Sequence, residues 1–443
     1  MSQVHLSYIN TTDTGINMMV SWVTIGTPLT TSYNIIFPIV GISIITTIAA
    51  IAYYRSKAPA LFDCYVYNSH IFNFTNRDTQ TCGFCSVYFI LLLCSILSGL
   101  QFYPVIEQVT YCNTECVTSR TTKIAMLSPS KTMYSAPMYN LAPQTKYNYR
   151  ISDSETPIEF TTLNPSAPRI AVIGDFGYEN AVAFKSLHDS MNDYDMIIHL
   201  GDIAYDLEEE GDAFMNMIEP ISSKKPYMTT PGNHEEANNF SYYRTLFNMP
   251  QLFYSFTIGT VHFISISSEL LFHPHLYSNY HILKQYNWLE HDLRENINAT
   301  SIVYTHRPMY CSMTGNRCTE DTKTMRKGMS YDGKEPIAPL EQLLYKYGVQ
   351  VYFAGHIHSY ERTKPVYDST VQENSGIVHI LNGVGGCSEV LDTAATTKHD
   401  WSAYHNTTYG FGILNVRGKN MNWRQFSTKS GGKTEEIDKI DII

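Results

Sequence analysis

The sequence predicts an α/β domain from Arg169 onward, preceded by a small β-sandwich that an apolar insert interrupts. After residue 169, short apolar strands alternate with polar loops and helix-length stretches, which is typical of an α/β domain. Segments 3–24, 109–111, 146–151 and 157–161 have the spacing of strands and turns and show no helical period. Between the first two of these segments lie two long stretches without charge, which indicate an insert of a different kind.

These patterns divide the chain into four segments. Residues 1–26 are expected to form the first part of the β-sandwich, 27–106 the insert, 107–163 the second part, and 167–443 the α/β domain with its C-terminal region. The Pro- and Ser-containing stretch 162–168 has the composition of a linker. A chain of 443 residues with net charge −10 and no run rich in Lys and Arg is not a small disulfide scaffold. The absence of a run rich in Lys and Arg also argues against nucleic acid as a partner, because no basic cluster would neutralise a phosphate backbone.

The insert has the composition of a membrane hairpin. Residues 14–54 and 79–106 contain no Asp, Glu, Lys or Arg, which explains the low charged fraction of 16%. Segments 35–54 and 84–102 are each long enough for a helix to cross a hydrocarbon core of about 30 Å. A β-rich insertion, or translated sequence absent from the mature protein, would explain the same composition, because Pro38 and many β-branched residues weaken the membrane interpretation.

The sequons favour a secretory route. Cys311 and Cys318 enclose a polar loop and are the expected disulfide if the compartment is oxidising. Asn-x-Ser/Thr sequons occur at Asn10, Asn73, Asn239, Asn298 and Asn406. We therefore expect a secreted glycoprotein of the secretory pathway, extracellular or lysosomal, that is anchored in the membrane if the insert forms transmembrane spans.

The strongest functional signal is a set of metal-ligand residue types at the ends of five predicted strands. The strands IAVIGD, MIIHLGD, YMTTPGNHE, SIVYTH and VYFAGHIH lead to Asp175, Asp202, Asn233, His306, His356 and His358. Ligands of α/β domains gather at the carboxyl ends of strands, so we expect these side chains to meet at one edge. Asp, Asn and His are common metal ligands.

This set predicts a site for two metal ions. A carboxylate shared between two cations holds them about 3.5–4 Å apart for in-line phosphoryl displacement. Asp202 is the natural bridge, because the preceding Gly201 lets the backbone turn sharply and leaves both carboxylate oxygens free. The oxygens of Asp175 and Tyr205 suit Fe(III), whereas Asn233 and imidazoles suit Zn, Mn or Fe(II).

The two remaining histidines, His356 and His358, are two residues apart in a segment expected to be extended. Their side chains would then lie on the same side and could bind neighbouring metals. By contrast, lone histidines such as His188, His199 and His262 are expected to be ordinary core or surface residues. The stretch 383–386 (GVGG) is expected to form a tight turn, because it lacks the Lys-Ser/Thr of a phosphate-binding loop.

The ordered motifs GDxG, GDxxY, GNHE, VxxH and GHxH resemble those of the metallophosphoesterase superfamily, and Tyr205 in GDIAY resembles the tyrosine of purple acid phosphatases. THRPMYCS, GHIHSYER and WSAYHNTTYGFG are similar to the animal iron/zinc purple acid phosphatase-like class. The resemblance covers 169–443 and fragments of the β-sandwich, but not residues 27–106. It implies an α/β metallophosphoesterase sandwich, with two mixed β-sheets flanked by helices, preceded by a fibronectin III-like β-sandwich.

The resemblance also implies a role for each site residue. The ferric ion would be held by Asp175, Asp202, Tyr205 and His358. The divalent ion, which is zinc, iron or manganese, would be held by Asp202, Asn233, His306 and His356. His234 would bind the substrate phosphate and help to protonate the leaving alkoxide. The implied activity is that of an acid phosphatase, which hydrolyses small phosphate monoesters through a metal-bound hydroxide.

Two alternative functions stay open at this point. The same site could prefer phosphodiesters or nucleotides, or the insert could disrupt the β-sandwich and leave a non-catalytic, membrane-associated product. Loop-closure entropy does not exclude a folded sandwich, since each doubling of loop length costs only about 0.6 kcal/mol. The second proton donor also stays open, because Met313, Thr314 and Gly315 stand where plant relatives have additional histidines.

Overall fold

The structure is a computed structural model that describes residues 2–12, 15–25, 107–128, 131–152, 154, 156–249, 251–273, 276–329, 337–392 and 399–442. Met1–Ile25 and Glu107–Ile443 form one compact unit. The predicted spans 35–54 and 84–102 and the sequon at Asn73 lie outside the described residues. Within the described residues, no helix has both the length and the apolar composition to cross a bilayer.

The N-terminal part consists of two antiparallel four-stranded sheets. Their strands are β1 (Ser2–Thr12), β2 (Gly15–Ile25), β3 (Gln108–Cys112), β4 (Cys116–Arg120), β5 (Thr122–Ser128), β6 (Lys131–Leu141), β7 (Lys146–Ile151) and β8 (Ile158–Thr161). One sheet has the order β1-β2-β6-β5 and the other β4-β3-β7-β8. Strand β2 pairs with β6, for example through Val20 and Ala136, so chain segments from both sides of the insert build one sheet. This pairing argues against a disrupted N-terminal domain.

Residues from Arg169 onward form two mixed β-sheets with helices, as predicted, and a separate two-stranded antiparallel sheet. The strands are β9 (Arg169–Ile173), β10 (Met196–His199), β11 (Tyr227–Thr229), β12 (Tyr254–Ile258), β13 (Val261–Ser265), β14 (Thr300–Tyr304), β15 (Val351–Ala354), β16 (Tyr360–Thr363), β17 (Val366–Tyr367), β18 (Thr370–Val371), β19 (Val378–Asn382), β20 (Ser402–Asn406), β21 (Gly410–Arg417), β22 (Asn420–Thr428) and β23 (Thr434–Ile442). The helices are α1 (Phe184–Asp189), α2 (Gly211–Ser222), α3 (Ala237–Leu246), α4 (Asn279–Glu295), α5 (Thr322–Lys327) and α6 (Leu340–Lys346).

The first sheet has the order β11-β10-β9-β21-β22-β23, and the second β12-β13-β14-β15-β19-β16-β20. The central strands β10, β13, β14, β15 and β19 are buried along their whole length, which explains why their sequences are mostly apolar. Buried Trp423 of the first sheet joins the two layers. Its ring centroid lies 5.1 Å from that of Phe353, and its indole N–H donates to the Tyr360 hydroxyl at 2.9 Å.

Sheet topology determines where the predicted ligands lie. Strands β9, β10 and β11 are parallel neighbours, and so are β14 and β15. The carboxyl ends of parallel neighbours lie at the same edge of a sheet, so the loops that carry the predicted ligands begin there.

Two disulfides are present among the described residues. Cys311–Cys318 confirms the predicted bridge. Cys112–Cys116 was not predicted and links β3 to β4, where the two cysteines face each other across the antiparallel pair. Cys387 is buried and has a free thiol.

Candidate metal centre

The first group of donor atoms contains Asp175, Tyr205 and His358. The Tyr205 hydroxyl lies 3.0 Å from His358 Nε2, and Asp175 Oδ1 lies 3.4 Å from the same nitrogen. These atoms come from the loops after β9 and β10 and from the turn after β15. They place two oxygens and one imidazole nitrogen around a common point.

The second group contains Asp202, Asn233, His306 and His356. His306 Nε2 lies 3.2 Å from Asp202 Oδ2, 3.1 Å from Asn233 Oδ1 and 3.2 Å from His356 Nδ1. Ligand atoms of Asp202, His306 and His356 all lie within 4.8 Å of one another, and all three residues are buried. This group is therefore richer in imidazole than the first.

Backbone carbonyls determine which nitrogen of two histidines faces the site. His306 Nδ1 donates to the Leu200 carbonyl at 2.8 Å, and His358 Nδ1 donates to the Val390 carbonyl at 2.9 Å. A carbonyl can only accept, so each Nδ1 carries a proton, and each ring presents an Nε2 lone pair to the donor groups once Nε2 is deprotonated, as metal binding requires. Outer hydrogen bonds of this kind are common around metal-binding histidines.

The electrostatics of these groups also suit a cation. Burial, and then the carboxylates of Asp175 and Asp202, raise the pKa of Tyr205 far above its ordinary value. Burial alone would lower the pKa of His306, but the neighbouring carboxylates, Asp202 first and then Asp175 and Glu269, together outweigh burial and raise that pKa to about 9. Burial, and then His306, hold the pKa of His356 well below its ordinary value. The carboxylates thus favour positive charge in the site, and the residues present fit a pair of metal ions.

The backbone at several of these residues is strained. Four of the predicted ligands have positive φ angles, which are 53° at Asp175, 49° at Asp202, 69° at Tyr205 and 72° at His356. Left-handed conformations of non-glycine residues cost about 1–3 kcal/mol each and cluster at functional sites. The φ of His356 also corrects a prediction: β15 ends at Ala354, so His356 lies in a turn and not in an extended segment.

Two glycines provide space for the carboxylates. A Cβ atom on Gly232 would lie 2.2 Å from Asp202 Oδ1, and one on Gly355 would lie 2.3 Å from Asp175 Oδ2. Any side chain at either position would displace a predicted ligand. This explains why the GNHE and GHxH motifs begin with glycine.

Comparisons with known proteins show which family the chain belongs to. The family model for calcineurin-like phosphoesterases matches residues 168–360, and the model for the iron/zinc purple acid phosphatase-like protein C domain matches residues 376–436. The mouse (Mus musculus) acid phosphatase type 7 is 37% identical over 335 residues, which cover 68% of this chain and 75% of that protein. The chain belongs to the purple acid phosphatase family. As a purple acid phosphatase, it is a metallophosphoesterase and a hydrolase.

More distant purple acid phosphatases match over a similar part of the chain. Probable purple acid phosphatase 20 of Arabidopsis thaliana is 30% identical over 300 residues, 62% of this chain and 66% of that protein. The solved structure of a purple acid phosphatase from yellow lupin (Lupinus luteus) seeds superimposes with a TM-score of 0.60 at 22% identity. That match covers 76% of this chain and 69% of the lupin chain, and supports the fold.

His234, the predicted acid of this purple acid phosphatase, lies at the rim of the donor groups. Its Nδ1 lies 3.2 Å from the Tyr205 carbonyl, and its Nε2 lies 4.0 Å from Asp202 Oδ2. The side chain is 29% exposed, so the ring borders both the site and solvent. The histidines expected to have no role lie elsewhere: His199 contacts the Tyr227 hydroxyl and His262 contacts Asp292.

Glu235 is a site residue that the sequence analysis missed. Its buried carboxylate accepts the backbone N–H groups of Asp202 at 2.9 Å, Ile203 at 2.8 Å and Gly232 at 2.8 Å. It therefore ties the Asp202 loop to the loop that carries Asn233. The signal was available, because Glu235 is the last residue of GNHE.

Arg307 and Glu269 were also missed. Arg307 Nε lies 2.9 Å from Glu269 Oε1 and its Nη2 lies 3.0 Å from Glu269 Oε2, a two-point pairing in which Glu269 is fully buried. Arg307 Nη1 lies 3.2 Å from His356 Nε2. The Arg307–Glu269 pair thus helps to hold the predicted ligand His356 in position.

The disulfide loop Cys311–Cys318 supports the two-histidine segment. Arg317 in this loop donates to the His356 carbonyl at 3.3 Å and to Asp392 Oδ1 at 2.6 Å. The other oxygen of Asp392 accepts the His358 N–H at 2.8 Å. Arg317 therefore holds both predicted ligands through their backbone.

We expect Arg317→Leu to speed the loss of metal to a chelator by about tenfold or more, as for other outer hydrogen bonds of metal ligands. Metal content would be followed by elemental analysis during dialysis against the chelator. The thermal unfolding midpoint of the metal-free protein would be measured in parallel. Arg317→Lys should retain metal better than Arg317→Leu, and Arg294→Leu, at an exposed arginine of α4, is the control. Unchanged metal loss in Arg317→Leu would show that this loop does not position the ligands.

Proposed function

We propose that this purple acid phosphatase hydrolyses small phosphate monoesters at a site holding one ferric and one divalent ion. The supporting observation is the separation of the donors into two groups of different chemistry. Asp175 and Tyr205 offer hard oxygens, and His358 adds one nitrogen, a combination that suits Fe(III). Asn233, His306 and His356 suit zinc, iron or manganese in the divalent state. Asp202 is proposed as the shared ligand.

When bound, two such cations neutralise charge on the phosphate and activate the attacking water. Residues of the chain hold the proposed ligands in position for this chemistry. Glu235 holds the Asp202 loop, the carbonyls of Leu200 and Val390 orient two imidazoles, and Arg307 supports a third. Because these supports are in place before substrate arrives, little reorganisation is needed during the reaction.

His234 is proposed to bind the substrate phosphate and to hold the proton that the leaving alkoxide takes up. The Tyr205 carbonyl accepts from Nδ1, so Nε2 is the atom that can deliver a proton toward the site. Partial exposure of the ring lets that proton be replaced from solvent after each turnover. The role is that of a general acid within hydrogen-bond reach of the leaving oxygen.

The substrate class is tested with p-nitrophenyl phosphate and bis(p-nitrophenyl) phosphate as alternatives. With the full chain loaded with Fe(III) and Zn(II), we expect the monoester to be hydrolysed with the higher kcat/KM at acid pH. A strong preference for the diester would favour the alternative of a phosphodiesterase or nucleotide hydrolase. An absence of turnover in the loaded protein would contradict both functions.

The ferric assignment has a separate, spectroscopic test. A phenolate bound to Fe(III) gives a visible charge-transfer band, as the resemblance to purple acid phosphatases implies. We expect Tyr205→Phe to lose this band while the divalent ion is retained. Tyr178→Phe, at a tyrosine that is 40% exposed, is the matched control and should keep the colour. A band that survives Tyr205→Phe would refute this ligand.

We propose that the protein follows the secretory route. Two disulfides among the described residues and exposed sequon asparagines at Asn10, Asn239 and Asn298 support this route. Membrane contact through 35–54 and 84–102 stays a prediction, because those segments lie outside the described residues.

A further inference from the structure

The loop of residues 386–392 is anchored on both sides of Glu389. On one side, Asn180 Nδ2 donates to the Cys387 carbonyl at 2.7 Å. On the other side, the Asp392 N–H donates to the His358 carbonyl at 3.0 Å, and Asp392 Oδ2 accepts the His358 N–H at 2.8 Å. These bonds restrict the positions that Glu389 can take beside the metal centre.

Glu389 places a carboxylate at the mouth of the site. Its Oε1 lies 3.7 Å from His234 Nε2, and its side chain is 54% exposed. The two arginines that contact the histidine ligands are engaged elsewhere, since Arg317 pairs with Asp392 and Arg307 with Glu269. Neither arginine is therefore available to neutralise Glu389.

This position brings Glu389 close to the leaving group of any substrate. If His234 protonates the leaving oxygen, that oxygen lies about 3 Å from Nε2 during the reaction. It then lies within about 7 Å of the Glu389 carboxylate, because Glu389 Oε1 is 3.7 Å from the same nitrogen. A charged group on the alcohol next to that oxygen can lie at a similar distance from Glu389, and at about 7 Å in largely aqueous surroundings Coulomb's law corresponds to about threefold in rate per unit charge.

We propose that Glu389 selects substrates by the charge of the leaving group. It favours phosphate monoesters whose alcohol carries a cationic group and disfavours those whose alcohol carries a second anion. The inference rests on the proposed function, because it needs His234 to act on the leaving oxygen. It narrows the substrate class to cationic or neutral phosphomonoesters and excludes polyanionic esters as preferred substrates.

The test compares two small substrates that differ mainly in leaving-group charge, O-phosphoethanolamine and phosphoglycolate. In the loaded full-length enzyme at low salt, we expect a higher kcat/KM for the cationic substrate. Glu389→Gln should lower the ratio of the two kcat/KM values by about tenfold, and added salt should lower the wild-type ratio. Glu389→Lys should invert the preference.

Glu373→Gln is the matched control. Glu373 is exposed in the turn before β19, a strand that runs parallel to β15 and therefore starts at the edge opposite the site. A ratio unchanged within twofold in Glu389→Gln would overturn the proposal. An equal fall for both substrates and for p-nitrophenyl phosphate would also overturn it, because Glu389 would then act through His234 and not on the leaving group. Absence of turnover with every substrate in the wild type would instead contradict the proposed function.

Discussion

Asp202→Asn should reduce hydrolysis of p-nitrophenyl phosphate by about 10³-fold, comparable with the loss of a major electrostatic contact in other enzymes. In the structure, Asp202 Oδ2 lies 3.2 Å from His306 Nε2, and Oδ1 accepts the His234 N–H at 3.1 Å. An asparagine has a similar shape but no charge and only one oxygen, so it cannot serve two cations. We expect lower metal content together with the lower kcat.

The measurement combines kcat with metal content per chain. Asp193→Asn, at an exposed aspartate in the loop before β10, is the control and should behave as the wild type. Wild-type turnover in Asp202→Asn with metal content intact would refute the shared-ligand assignment. Low turnover with unchanged metal content would point to an effect through the His234 backbone contact.

Glu269→Gln should destabilise the metal-free protein by about 3–5 kcal/mol, the cost of leaving one charge of a buried pair without its partner. Arg307 is the partner left behind, and its guanidinium also contacts His356. The free energy of unfolding would be measured by urea denaturation at neutral pH. Glu290→Gln, which removes a surface ion pair with Lys346, should leave the urea midpoint of unfolding unchanged.

The loss of stability caused by Glu269→Gln should depend on pH. Burial alone would raise the pKa of Glu269, but Arg307 and His273 outweigh burial and hold that pKa well below its ordinary range. Stabilisation from such a carboxylate is fully present above its unfolded pKa, about 4.3, and is lost as the pH falls toward the folded pKa. The difference in unfolding free energy between wild type and Glu269→Gln should therefore persist at pH 5–7 and narrow below about pH 4. A difference that stays constant down to pH 3 would contradict this assignment.

Much of the candidate site could be predicted because its signals are local. Each proposed ligand follows an apolar strand within a few residues, and apolar strands are visible in the sequence as short buried runs. The glycines of GNHE and GHxH are likewise local signals, since they leave room for Asp202 and Asp175. Resemblance to purple acid phosphatases then assigned a role to each residue.

Other features depend on contacts between segments that are distant in the chain. Glu269 and Arg307 are separated by 38 positions, and their pairing follows from the adjacency of β13 and β14. The turn at His356 was predicted wrongly as extended, because a left-handed backbone at a non-glycine residue needs tertiary contacts to stabilise it.

The sequence by itself determined the α/β class, the strand-end donors and the Cys311–Cys318 disulfide, because periodicity and ligand chemistry are properties of short segments. Only the tertiary structure decided that β2 pairs with β6 across the insert, that the donors separate into two groups, and that Glu389 stands beside His234. Strand order determines these distances, and strand order results from packing of the whole domain.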